Sequence, residues 1–248
     1  MKLHIYKDKE TVSKELAQWI SDTIAASLKN QEFFSLVLSG GETPKLLFEH
    51  LASDEFKSKI NWKRIHIFWG DERVVPFVDE RNNAAMAYQL LIDKIDIPAT
   101  QVHIIRTDIE PNFAVDEYRK LLHTHFDHTF QSFDLVLLGM GNDGHTLSLF
   151  PNSPLIEEHN NWVNAIYSKK QGMYRISLMP LIINRAAKIV FLVEGEAKAS
   201  VLKEVIEGKF EPAKYPAQII KPANGELHWF VDEAAAKDLS NKNHPDIS

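Results

Sequence analysis

The sequence contains no cysteine, and that absence removes disulfides, zinc–thiolate sites and thiol nucleophiles together. No run of 18 consecutive apolar residues occurs, and the opening Met1-Lys2-Leu3-His4-Ile5-Tyr6-Lys7-Asp8 lacks the apolar block of a secretory signal. A soluble, cytoplasmic protein with no membrane partner is expected. Basic residues are outnumbered: 28 Lys and Arg stand against 34 Asp and Glu, for a formal net charge of −6. That balance argues against nucleic acid as a partner, while leaving room for a local basic pocket that takes an anionic metabolite. Internal repeats, low-complexity tracts and long linkers are also missing, so nothing divides the chain. With 248 residues, 44% of them apolar and 25% charged, one large domain with a substantial core is expected over 1–239, followed by a polar tail at 240–248.

What is present is an alternation of short β-branched or aromatic runs with segments of helical period. Strands are expected at 3–6, 33–38, 65–69, 102–105, 133–138, 163–167, 175–178, 189–193 and 227–231. Val12, Leu16, Trp19, Ile20, Ile24 and Leu28 recur at spacings of three and four, the stripe of a first amphipathic helix. Further helical patterns cover 83–95, 113–126, 180–187 and 196–206, and the proline-rich 209–222 reads as a surface connection. The fold class is α/β: a single-domain, Rossmann-like, mostly parallel sheet with helices on both faces.

In such sheets ligands collect beyond the carboxyl ends of the strands, and four of those turns have unusual chemistry. The most informative follows the strand at 133–138 and reads Gly139-Met140-Gly141-Asn142-Asp143-Gly144-His145. Glycines let a ligand approach the backbone, and histidine titrates near neutral pH. Asp143, two residues before His145, can accept one ring N–H, fix the tautomer and leave the other nitrogen as a base. The spacing Gly139-x-Gly141-x-x-Gly144 also fits the dinucleotide fingerprint, but that motif needs an immediate long helix. Here Thr146-Leu147-Ser148-Leu149-Phe150-Pro151 allows barely one turn, so a nucleotide cofactor is not expected.

After the strand at 33–38 comes Ser39-Gly40-Gly41-Glu42-Thr43-Pro44, with Thr43 as the expected N-cap and Pro44 at the first helical position. Exposed N–H groups at such a helix start favour anions; an ordinary strand-to-helix turn is the equal alternative. After 65–69 comes Gly70-Asp71-Glu72-Arg73, where the Arg73 fork can meet a phosphate or a developing oxyanion. The plainer alternative has Asp71 or Glu72 hold Arg73 in a surface ion pair. The fourth turn, Ser168-Lys169-Lys170-Gln171-Gly172 with Arg175 close behind, gathers positive charge in an acidic chain, although such runs are more often solvated faces. His123, His125 and His128 suggest a metal cluster, but their spacings do not stack them on one helix face, and a solvated helix end is expected instead.

Taken in order, these segments resemble the 6-phosphogluconolactonase family, within the superfamily of glucosamine-6-phosphate deaminase. The resemblance rests on 38–44, on Trp69-Gly70-Asp71-Glu72-Arg73-Val74-Val75-Pro76 and on 138–151, and it continues through 175–178, 194–199, Pro216-Ala217, 229–232 and Ala234-Ala235. It implies a deaminase-like α/β fold, with a lactonase domain over 1–239. The activity it implies is hydrolysis of 6-phospho-D-glucono-1,5-lactone to 6-phospho-D-gluconate in the oxidative pentose phosphate pathway. The deaminases differ at both 70–73 and 146–151, and a noncatalytic phosphosugar sensor would append a DNA-binding segment that is not found here. By resemblance, His145 is the general base and Asp143 orients it. The substrate contacts fall to Ser39, Gly40, Gly41, Thr43, Asp71, Arg73, Gly141, Lys170 and Arg175, with Lys169 as a substitute for Lys170. Glu42 is expected to face solvent, since an inward carboxylate would repel phosphate. The reaction requires no metal or organic cofactor; the partner is the small phosphosugar lactone, and a monomer is expected.

Overall fold

The computed structural model describes residues 1–240, so the tail expected at 240–248 lies, from 241 onward, outside the described residues. Seven strands form one parallel sheet in the order β1-β10-β9-β6-β2-β3-β5. They are β1 (Lys2–Tyr6), β2 (Phe34–Leu38), β3 (Ile65–Trp69), β5 (Val102–His103), β6 (Leu135–Leu138), β9 (Lys188–Val193) and β10 (Glu226–Asp232). The central strands read as near-continuous apolar runs because helices cover both faces, and all four residues of β6 are buried. A second, antiparallel sheet has the order β4-β8-β7 and comprises β4 (Asp71–Arg73), β7 (Val163–Ser168) and β8 (Met173–Leu178). The three residues of β4 form a strand where the composition of 70–73 predicts a turn.

Helix α1 (Lys9–Ser27) buries Val12, Leu16, Ile20 and Ile24 of the expected stripe, with Trp19 and, just past the helix, Leu28 only partly buried, and Asp8 caps it by accepting the Thr11 N–H at 2.9 Å. Then come α2 (Pro44–Ala52), α3 (Asp54–Lys57), α4 (Asn83–Leu90), α5 (Pro111–Phe126), α6 (Pro180–Ile183) and α7 (Ala199–Glu207). Three helical patterns are shorter than expected. The 83–95 segment breaks after Leu90 and resumes as a 3-10 turn, Ile92–Lys94. The 180–187 segment stops at Ile183, and 196–206 begins as a 3-10 turn before α7. The expected strand at 102–105 pairs over only two residues, Val102 with Ile67 and His103 with Phe68. Among the described residues no helix is long and apolar enough to cross a membrane.

The order of the strands decides where a site can form. From β2 the chain winds outward through β3 to β5, whereas β6, its other neighbour, leads the opposite way to β9. The turns leaving β2 and β6 therefore diverge and open a crevice at the switch point of the sheet.

Candidate active site

A pocket of about 330 Å³ fills that crevice. Ser39, Gly40, Gly41 and Thr43 form one wall, Gly139, Gly141 and His145 another, and Asp71, Arg73, Arg175 and Lys198 complete it. Every expected contact residue except Lys170 is thus brought to one cavity, with Asp143 behind His145.

The loop after β6 is folded on itself: Gly141 N–H donates to the His145 carbonyl at 2.8 Å, Gly144 N–H to the Gly141 carbonyl at 3.1 Å, and Thr146 Oγ1 to the Gly139 carbonyl at 2.8 Å. A β-carbon at Gly141 would collide with the His145 ring, so only glycine lets the imidazole lie over this turn. His145 Nδ1 sits 2.5 Å from Asp143 Oδ1, and its backbone N–H donates to the same oxygen at 3.2 Å. The hydrogen bond from His145 holds the Asp143 carboxyl well below the usual carboxylate range, against a smaller upward push from burial. With Nδ1–H committed to an ionised carboxylate, Nε2 is the basic nitrogen.

Thr43 does not act as the expected cap. Its own φ of −57° and ψ of −44° are already helical, and its hydroxyl makes no capping bond. The left-handed turn at Gly41, φ +90°, brings the chain into helical geometry before Thr43. Pro44 nevertheless opens α2 as expected. Among the described residues the Gly40 and Gly41 N–H groups have no hydrogen-bond partner, leaving two donors at a helix N-terminus. Glu42 turns outward and pairs with Lys45 at 2.8 Å.

The acids flanking Arg73 do not make the surface ion pair weighed above. Asp71 is buried and accepts from Arg175 Nη2 at 2.5 Å and from Ser148 Oγ at 2.7 Å. Burial pushes its pKa up, but Arg175, Arg73 and these hydrogen bonds outweigh that and leave it lowered. Glu72 accepts the backbone N–H groups of Arg73, Asn83 and Ala84 at 2.7, 2.8 and 2.8 Å, and so anchors the start of α4. Burial nonetheless pushes its pKa up to about 7. The unforeseen strand β4 matters here because it places Arg73 directly opposite Arg175 in the antiparallel ladder. Like charges in register repel, and both guanidinium groups retain donors: Arg73 gives one N–H to the Arg81 carbonyl, and Arg175 one each to Gln171 and Asp71. Burial, then the Arg175 charge, lowers the Arg73 pKa.

Lys170 is exposed in the β7–β8 turn and does not reach the pocket. That turn closes through Gln171 and Gly172 N–H donating to the Ser168 carbonyl, so Lys169 and Lys170 both stay in solvent while Gln171 meets Arg175. The lysine that lines the pocket is instead Lys198, which no signal in the matching segment 194–199 singles out. It is half-buried and donates to the Met140 carbonyl at 2.6 Å, leaving donors to spare. The three histidines at and just beyond the end of α5 also part ways: His123 pairs with Asp127 and stacks on Trp162, and His128, past the helix, is exposed, but His125 is not part of a solvated end and turns half-buried toward His66 of β3.

A doubly wound sheet with a carboxylate-held imidazole and opposed arginines at its switch point defines an α/β protein built to act on an anionic small molecule. The chain belongs to the family of glucosamine-6-phosphate isomerases and 6-phosphogluconolactonases, whose family model matches residues 7–229. The 6-phosphogluconolactonase of Haemophilus influenzae is 42% identical over 202 residues, covering 82% of this chain and 86% of that protein. A solved structure described as devB protein superimposes with a TM-score of 0.88 at 33% identity, covering 96% of this chain and 99% of the other. The 6-phosphogluconolactonase of Thermotoga maritima gives a TM-score of 0.80 at 28% identity, covering 93% and 99%.

Proposed function

We propose that this protein is a 6-phosphogluconolactonase, acting as a monomeric cytoplasmic enzyme through one domain spanning 1–239. It hydrolyses 6-phospho-D-glucono-1,5-lactone to 6-phospho-D-gluconate in the oxidative pentose phosphate pathway. The observation that carries the reading is the pairing of His145 and Asp143 with the opposed Arg73 and Arg175 across one small pocket. A phosphate dianion relieves the repulsion between the arginines and uses their spare donors, and the imidazole supplies the base.

His145 Nε2 takes a proton from water as the oxygen attacks the lactone carbonyl, and the tetrahedral intermediate carries the negative charge on the former carbonyl oxygen. The C–O bond to the ring oxygen then breaks, and the imidazolium returns its proton to that leaving oxygen. Asp143 holds the ring and stabilises the imidazolium. The free Gly40 and Gly41 N–H groups, Arg73, Arg175 and Lys198 are the donors shared between the oxyanion and the phosphate. Lys198 takes the part that the family resemblance implied for Lys170, and Asp71 positions Arg175.

The test is an assay in which glucose-6-phosphate dehydrogenase forms the lactone in situ and 6-phosphogluconate dehydrogenase reports its opening, at slightly acidic pH to suppress the spontaneous reaction. Acceleration proportional to added protein supports the activity. Folded protein that leaves the background rate unchanged overturns it.

A further inference from the structure

Three imidazoles converge on the face of the sheet that α5 covers, away from the pocket. His66 comes from β3, His103 from β5 and His125 from the last turn of α5. One ligand atom from each lies within 4.8 Å of the others. His66 Nδ1 and His103 Nε2 are 2.8 Å apart, their rings parallel within 2°, and the His125 ring stands across both at 62° and 64°. Phe68 stacks on His103 and sets its edge against His125, while Phe33 packs edge-on to His66. The rings are held, but their nitrogens are poorly used: among the described residues His125 has no hydrogen-bond partner, and His66 and His103 have only each other.

Four-coordinate zinc, with Zn–N distances of about 2.0–2.1 Å, sets its ligand nitrogens roughly 3.3 Å apart. Reaching that spacing requires the His66–His103 pair to open by about half an ångström and His125 to move inward, changes within the range of side-chain torsions. A set of three nitrogens with no carboxylate suits a borderline transition ion and disfavours magnesium or calcium, which take oxygen ligands. We propose that His66, His103 and His125 form a binding site for one divalent transition cation of the zinc type, which clips the edge strand β5 and the end of α5 to β3. The need for a clip is visible in β5, which holds only two residues in register. A cleft of about 450 Å³ lined in part by His66, His125, Ser35 and Asp134 admits the ion and supplies water for a fourth position. Burial lowers the pKa of all three histidines, that of His103 to about 4, consistent with the neutral, coordinating form at pH 7.

The test titrates the full chain, stripped with a chelator, with Zn²⁺ by calorimetry and with Co²⁺ by visible absorption. The expected result is one ion per chain, four-coordinate Co²⁺ bands and a rise of several degrees in Tm with Zn²⁺. His103→Gln and His125→Gln should each weaken Zn²⁺ binding by more than about tenfold while leaving lactone hydrolysis in place, and His145→Gln should retain Zn²⁺ binding. Absence of a one-to-one complex overturns the proposal. So does binding that survives His125→Gln or disappears with His145→Gln. Should His103→Gln not fold, His125→Gln and the wild-type Co²⁺ spectrum still decide, since a spectrum without four-coordinate bands contradicts the site.

Discussion

Beyond the carboxyl ends of the strands, one histidine stands against an ionised carboxylate among three cations; on the face of β3 under α5, three histidines stand against one another and against phenylalanine rings. The side chains are the same, and their partners differ. Asp143 holds the His145 ring through Nδ1, and in the proposed mechanism it stabilises the imidazolium. The cluster of His66, His103 and His125 has no carboxylate in hydrogen-bond contact, and burial disfavours its charged forms. One environment suits a proton carrier, the other a set of neutral ligands. Topology assigns them: the diverging turns of β2 and β6 collect polar loop residues, whereas the face of β3 under α5 brings together half-buried side chains from three elements beside aromatic rings.

The comparison is broken most severely by removing the carboxylate. Asp143→Asn should leave the turn folded but no longer favour the Nδ1–H tautomer, lowering kcat by about 10²-fold or more, measured in the coupled assay beside circular dichroism. An equal kcat would show that the imidazole does not depend on its partner. A smaller effect sharpens the cationic side of the same pocket. Lys198→Ala should raise KM about tenfold or more with a lesser change in kcat, as expected on losing a charge-assisted phosphate contact, whereas Lys170→Ala should leave KM nearly unchanged. The reverse ranking would return the phosphate contact to the β7–β8 turn.

The smallest effect concerns Glu194, just after β9. Burial, with a further push from Asp232, raises its pKa to about 7, against the Ser13 hydrogen bond and Lys9. Between the ordinary value of 4.5 and about 7 the folded chain then holds more protons than the unfolded chain, so stability falls as pH rises through that window. Glu194→Gln should flatten this decline, gaining on the order of 1 kcal/mol relative to wild type at pH 8 over pH 5, once partial solvent exposure is discounted. Thermal unfolding at the two pH values reads the difference, and parallel declines would remove Glu194 as its source.

Much of the pocket rim was legible because its signals are local. The apolar runs of β2, β3 and β6 end in glycine or charged turns, and the spacing of Asp143 and His145 is fixed within one loop. At the β7–β8 turn charge alone favours a solvated face, and only the family resemblance places Lys170 at the substrate; the turn leaves it exposed and outside the pocket lining. Lys198 lies in a segment of helical period, and what makes it a site residue is the approach of Met140 from 58 positions away. The strand β4 was illegible for a similar reason. Asp71, Glu72 and Arg73 have turn-like composition and become a strand only through pairing with β8, and it is this pairing that opposes the two arginines. His66, His103 and His125 share no local period, since three separate elements bring them together.

The most direct measurement is steady-state lactone hydrolysis by His145→Ala beside the wild-type protein, with folding checked by thermal unfolding. If His145 is the base, kcat should fall about 10²- to 10⁴-fold while Tm stays close to wild type, because the ring is partly exposed at the pocket wall. Near-normal turnover by the folded variant would contradict the assignment and require another base in the pocket.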